Sequence, residues 1–285
     1  MNRIFFGVIL FLIIFFVSCQ KEIDWGFASA NPATKLLVRI KSKTGTDTTQ
    51  LDYTYDASRR IIREKTTGVS AGTSLDNDLV TKRNASGTIT STVQKSAALL
   101  AAGVDSIETR YDYSTGSSKY TCSVFQLTIS GITITDSAVY NYNGSGRITG
   151  DDHYLQVSGL PIPIPPLLSL KNYYIYTASG SNLDSVKQDA ATTPGGPLSP
   201  VSSQAYSYDP KINPLIILNE AILLARTGLY NANNPTKSVV TNAIDPTQDF
   251  TMDYTYRYNN VNKPDSSYST RTPGATVTAS KYFYQ

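Results

Sequence analysis

The sequence predicts an all-β chain: an antiparallel meander of hairpins forming a large curled or partly closed sheet, with one short apolar helix. Three observations carry that reading. Ser and Thr together make up 64 of the 285 residues and Tyr another 20, and Thr and Tyr favour a pleated, half-buried surface. Hydrophobic residues reach 40% and charged residues only 16%, enough for a real core within one or two domains. A Tyr-x-Tyr pair followed by a turn-rich stretch recurs about every 30 residues, as expected of a repeated supersecondary unit. The formal net charge of +3 argues against a nucleic-acid binder, which carries a clustered basic surface. One His and two Cys argue against zinc clusters, His-based triads and disulfide frameworks.

In chain order, the first element is an address. Arg3 precedes 14 largely apolar residues, Ile4 to Val17, too few for a helix to cross about 30 Å of hydrocarbon. The run reads as the h-region of a signal peptide over residues 1–18. Phe16-Val17-Ser18-Cys19 resembles the lipobox of bacterial lipoproteins, which implies a diacylated and then N-acylated Cys19 as the mature N-terminus; an ordinary secretory signal or a short anchor is the alternative. Two or more acyl chains, at about 0.8 kcal/mol per buried CH₂, give stable attachment where one would not. Residues 19–33 then form a lipidated tether and residues 34–285 a single antiparallel β-domain of about seven hairpins. Gln20-Lys21-Glu22-Ile23-Asp24 resembles the charged export signal of surface lipoproteins. The location expected is therefore the outer membrane, facing either the periplasm or the cell surface.

The repeats follow. Tyr53-Thr-Tyr55, Tyr111-Asp-Tyr113, Tyr140-Asn-Tyr142, Tyr174-Ile-Tyr176, Tyr206-Ser-Tyr208 and Tyr256-Arg-Tyr258 each precede a turn, and Thr81-Lys-Arg83 is a copy without tyrosines. The turns begin near 56, 84, 114, 143, 177, 209 and 259. Tyr at i and i+2 places both rings on one face of a strand. Asn-Gly-Ser-Gly or Asp-Ala-Ser-Arg then supplies residues that accept positive φ or bond their own backbone, and Arg-Ile-Thr starts the returning strand, so each copy reads as one hairpin.

Gly146-Arg147-Ile148 after Tyr140-Asn-Tyr142 resembles the YD repeat of bacterial surface and wrapper proteins. The pattern from about residue 34 to Tyr282-Phe-Tyr-Gln285 is also similar to an uncharacterised family of Gram-negative lipoproteins with a porin-like antiparallel sheet. The resemblance implies a shape and no activity. Long YD shells carry many more copies and a C-terminal payload, so a toxin-enclosing role is not expected. Strands alternating Tyr with Thr, Ser and charges do not read as the lipid-facing band of a transmembrane barrel.

Several segments depart from the meander. Ser96 to Gly103 has an N-cap Ser, helix formers and a terminal Gly and predicts a short helix. Asn213-Pro214 to Gly228 predicts a second, apolar all round over Leu215–Ala225, expected to plug the core. Gly159 to Leu170, with alternating Pro, is expected to be an extended apolar loop excluded from ladder pairing that either packs over a sheet face or meets a partner, with Leu160, Ile162, Ile164, Leu167 and Leu168 as its candidate partner contacts. Cys122 is expected to be a buried small hydrophobe. Asp-Ser or Asp-Thr recurs at 47, 105, 136, 184 and 265 and reads as a turn entering a strand. The first four also resemble a bacterial O-glycosylation acceptor, which would place sugars on Thr48, Ser106, Ser137 and Ser185.

For chemistry, Asp151-Asp152-His153 alternates faces on a strand and lacks a second cluster to complete a site. Asp76-Asn77-Asp78 lacks the Gly and distant Glu of a calcium loop; both read as solvated turns. No catalytic residue, metal site or cofactor is expected. The function expected is a non-enzymatic envelope lipoprotein, held to the membrane through Cys19, that binds a glycan or an envelope protein partner. A carbohydrate-active enzyme using a carboxylate pair and a purely structural envelope component are the alternatives.

Overall fold

The computed structural model describes residues 36–114, 119–193, 195–214 and 231–285; the expected signal peptide and tether, Cys19 with them, and the 215–230 segment that holds the expected apolar helix lie outside them. Sixteen strands follow in chain order: β1 (Leu37–Thr44), β2 (Asp47–Tyr55), β3 (Ile61–Ser70), β4 (Thr73–Arg83), β5 (Ile89–Ser96), β6 (Ile107–Tyr113), β7 (Tyr120–Ile129) and β8 (Ile132–Tyr142). They continue as β9 (Ile148–Ser158), β10 (Ile164–Tyr176), β11 (Leu183–Ala191), β12 (Leu198–Ile212), β13 (Asn233–Asn242), β14 (Phe250–Tyr258), β15 (Pro264–Thr272) and β16 (Thr276–Tyr284). Each pairs antiparallel with its sequence neighbours, and β1 pairs with β16, from Leu37 opposite Tyr284 to Thr44 opposite Thr278. The sheet is thus a closed barrel, not curled or partly closed. Closure satisfies both edges with backbone hydrogen bonds and removes the need for a helix or terminus to cover them.

Connections fall at two ends. At the far end the β3–β4 and β7–β8 turns take two residues each: Ala71-Gly72 and Ser130-Gly131 both have positive φ, the two-residue hairpin that matches strand twist. There too is α1 (Ala97–Ala101), where the Ser96 hydroxyl accepts from the Leu99 N–H and Gly103 has φ +77°, as the sequence predicts. The opposite end, here the repeat end, holds the turns after each Tyr-x-Tyr and both ends of the sheet, where Leu36 and Gln285 exchange backbone hydrogen bonds. The seven repeat copies therefore mark seven turns, which pair β2 with β3 and so on to β14 with β15, leaving β1 and β16 to close the barrel. In three copies the Asx side chain accepts from backbone N–H groups two and four residues on: Asp56 from Ser58 and Arg60, Asn143 from Ser145 and Arg147, Asn259 from Val261 and Lys263. The fourth position has positive φ in each, as Arg59, Gly146 and Asn262.

The second tyrosine of a pair has a repeated task. Tyr55 donates to the carbonyl of Leu37, Tyr142 to Tyr120, Tyr176 to Ile148, Tyr208 to Leu183 and Tyr284 to Pro264. Each bond runs from the end of an even strand to the start of the odd strand before it, clasping the open mouth of one hairpin. In the copy without tyrosines, Arg83 donates to the carbonyl of Ile61, so a different donor makes the same clasp. Behind the clasps, Ile89, Ile148, Leu183, Tyr111, Tyr120, Tyr140 and Tyr174 form one buried cluster, and Leu37, Tyr53 and Ile61 a second.

Two expectations change. Proline does not keep the 159–170 segment out of the sheet: Ile164 pairs with Val157 and Leu167 with Leu155, with register shifts at the Pro165-Pro166 step and again before Leu170. The shifts absorb the missing donors, so only 159–163 is a loop. Cys122 is not buried; it is partly exposed and donates to Asp112 at 3.4 Å.

Candidate functional site

A cavity of about 500 Å³ is lined by residues from eight consecutive strands, β3 to β10. Only the concave side of a closed sheet can present eight neighbouring strands to one space, so this face is the lumen. Register carries it round the rest of the wall, through Asn172–Gln188, Val186–Gln204, Gln204–Val240, Val240–Phe250, Tyr254–Ser269, Ser269–Thr278, Ser280–Ser42, Ile40–Leu51 and Leu51–Thr66. Thr66 itself lines the cavity, so the assignment closes on itself. The alternate residues face out.

The lumen holds the tyrosine pairs of the repeats, while the outer wall is charged. Arg39 pairs with Asp52, Arg63 with Asp78, Lys65 with Asp76, Lys82 with Glu108 and Lys171 with Asp152. Asp76-Asn77-Asp78 is therefore no turn: it lies in β4, with the Asp76 and Asp78 carboxylates turned outward to Lys65 and Arg63, while Asn77 and Asp78 both border the cavity.

Asp151-Asp152-His153 also lies within a strand, β9, and a second cluster does complete it. Asp151 is 4% exposed. It accepts from Asn172 Nδ2 at 2.7 Å and Tyr174 Oη at 2.8 Å, and His153 Nε2 lies 3.2 Å away. On its other side, His153 Nδ1 meets Asp136 Oδ2 at 2.8 Å. Burial works against the imidazolium, but hydrogen bonds and charge from Asp136 and Asp151 outweigh it and raise His153 from 6.5 to about 9. A cation thus stands between two carboxylates at neutral pH. Burial and the Asp151 charge push the Tyr174 phenol up, keeping it a donor. The 2%-exposed Glu64, with Gln94, Phe125, Tyr111, Thr109 and Asn77, also lines the cavity.

This arrangement is that of a polar cavity with an aromatic floor. Among the described residues, no group of three or more His, Cys, Asp or Glu could hold a metal ion. Sequence reasoning missed the site because Asp136 belongs to the preceding strand, well away from His153 along the chain. The two meet only through register, which sets Ala138 opposite His153. The Asp136-Ser137 pair, read as a turn, is mid-strand, with Asp136 inward.

Its fold is shared with solved porin-like proteins. One, from Bacteroides uniformis, has a TM-score of 0.51 and 12% identity, covering 87% of this chain and 98% of its own. Another, from Bacteroides vulgatus, has a TM-score of 0.50 and 13% identity over 88% and 99%. Identity at that level establishes the architecture alone. No protein-family model and no curated protein matches the sequence.

The structure does not gather the residues singled out from sequence. Thr48 opens β2 and is exposed, Ser106 is exposed just before β6, Ser137 is half-buried in β8 and Ser185 is buried in β11. Leu160 and the 83%-exposed Ile162 lie in the 159–163 loop, while Ile164, Leu167 and Leu168 are partly buried in β10.

Proposed function

We propose that this chain is a non-enzymatic cell-envelope protein, tethered through lipid on Cys19, whose barrel stands in water and takes a small glycan into its lumen. The observation that supports this best is the composition of the cavity. A sugar offers apolar C–H faces and a rim of hydroxyls, and the cavity offers Phe125 and Tyr111 beside Gln94, Asn77, Asn172, Glu64 and Asp136. Its size falls in the range of small-molecule sites.

The outer wall supports a barrel in water rather than hydrocarbon. Lys41, Asp78, Arg110, Lys171, Lys187 and Lys237 lie near the middle of their strands, on the outer face. An Arg or Lys on the lipid face at the bilayer midplane costs roughly 2–4 kcal/mol, so a handful would offset the 5–15 kcal/mol or so that typically stabilises a folded protein. The porin likeness then concerns shape.

A non-enzymatic reading is supported by the occupied state of Asp151, whose oxygens hold Asn172, Tyr174 and His153. A glycan array followed by calorimetry, on the full chain and on Phe125→Ala and Gln94→Ala, tests the proposal. Saturable binding weakened tenfold or more by either substitution is expected. No binding to any glycan would leave the structural reading, and cleavage of a bound oligosaccharide would replace it with the enzyme reading.

A further inference from the structure

The two ends of the barrel carry opposite charge. At the repeat end the connections hold Arg59, Arg60, Lys119, Arg147 and Lys263 against Asp56 alone among the described residues. The two terminal residues of each strand there add Lys82, Arg83, Lys211 and Arg257 against Asp112, Asp184 and Asp265, leaving the excess with the cations. Described far-end connections hold Asp105, Asp245 and Asp249 and no cation. The two terminal residues of its strands bring Lys43, Lys95 and Arg271 against Asp47 and Glu108, so that end stays acidic.

Three of the repeat-end cations lie over tyrosine rings: Lys119 over Tyr142 at 5.4 Å, Arg147 over Tyr176 at 5.7 Å and Lys263 over Tyr284 at 5.4 Å. The clasp tyrosines thus carry a basic rim. Burial and the charge of Arg59 hold Lys263 below the ordinary lysine value, so the turns on either side of the chain entry bring like charges together. The chain enters at Leu36, at this same rim, and only a short stretch separates it from Cys19. Fully extended, that stretch reaches about 60 Å.

From the rim, the entry point and the tether length, we infer that the repeat end docks on the anionic phosphate headgroups of the membrane to which Cys19 is anchored, holding the far end away. This rests on the lipidation reading for its anchor. A slack tether alone would let the barrel tumble; a basic face turned to an anionic surface fixes which end points down. Such attraction falls off within a Debye length, about 10 Å at 0.1 M salt, so contact has to be close.

The test is lysine footprinting by acetylation and mass spectrometry, on the full chain as a Gram-negative host processes it. The protein is mixed with vesicles of one part phosphatidylglycerol to two parts phosphatidylcholine, or of phosphatidylcholine alone. Lys119, Lys211 and Lys263 should be protected on the anionic vesicles only, and Lys43 and Lys95 on neither. Protection should vanish near 1 M salt, where screening shortens to about 3 Å. Arg59→Gln with Arg147→Gln should weaken it roughly thirtyfold, from about 1 kcal/mol per cation; the salt series on the natural protein reads the same effect should that variant misfold. Equal protection on both vesicle types, or protection of Lys43 and Lys95, overturns the inference. Palmitate labelling of the same preparation decides the anchor separately: failure of the label to enter removes lipidation, while the footprint still decides docking.

Discussion

His153 is the single histidine of the chain, which makes the pH dependence of stability unusually readable. Its folded-state pKa is raised to about 9 from 6.5, so folding favours the charged imidazolium. The stabilisation is therefore fully present below about pH 6.5 and lost as pH rises through about 9. At about 1.4 kcal/mol per pKa unit, the charge between Asp136 and Asp151 contributes about 3 kcal/mol at low pH. His153→Gln supplies the reference, since the amide keeps a donor and loses the charge. Urea unfolding of both proteins between about pH 6 and pH 9.5 should show their stability gap shrinking by about 2–3 kcal/mol, or about 5–10 °C in Tm for a domain of this size. Buried tyrosines such as Tyr140 and Tyr174 have raised pKa values, so the unfolded chain ionises first as pH passes about 10. Both proteins share that loss, and it cancels in the difference. A gap constant across the range would refute the charge assignment. So would an imidazole NMR titration with its midpoint at the ordinary value.

Two further expectations follow from the wall. Tyr142→Phe removes the 2.9 Å clasp to the Tyr120 carbonyl and should cost about 1 kcal/mol in urea unfolding; the phenol of Tyr113, exposed and accepting from Asn84 at 2.8 Å, should cost less when removed. Gly68→Ala should cost at least about 2 kcal/mol, because Gly68 has φ +126° and an added Cβ would meet the Thr48 carbonyl oxygen at 2.1 Å; thermal melts against Gly72→Ala, where nothing lies within 4 Å, separate backbone collision from positive-φ strain.

The fold was legible in the sequence where local chemistry repeats. Asx at the turn onset, a positive-φ residue three on and Tyr-x-Tyr before it all act within a few residues, and the structure uses them as read. Closure was not legible, because whether β1 meets β16 depends on strand number and stagger, and Leu37 and Tyr284 lie at opposite ends of the chain. The reading of Pro165-Pro166 failed because a bulge can absorb two missing donors. That of Cys122 failed because alternation tells which residues share a face and not which face is inside.

The same division explains where the site lies. On the lumen face the first tyrosine of each pair forms one rung, with Tyr111, Tyr140 and Tyr174 buried, and the clasps fill the rung beyond, toward the repeat end. Sixteen strands make a barrel too wide for side chains to fill everywhere, so space opens where bulky residues stop. They stop two to four residues before each pair, at Thr109, at Ala138 and Asp136, and at Asn172, and these line the cavity. The repeat thus supplies a floor of tyrosines at a fixed height, and the positions just ahead of it are free to differ from copy to copy without disturbing a turn or a clasp. Asp136 lies on this variable stretch, and His153 meets it from the returning strand, opposite Ala138. A repeat that sets a tyrosine pair in six of its seven copies therefore also fixes the depth at which the cavity opens, and the chemistry of the lining falls to residues that the repeat leaves unspecified.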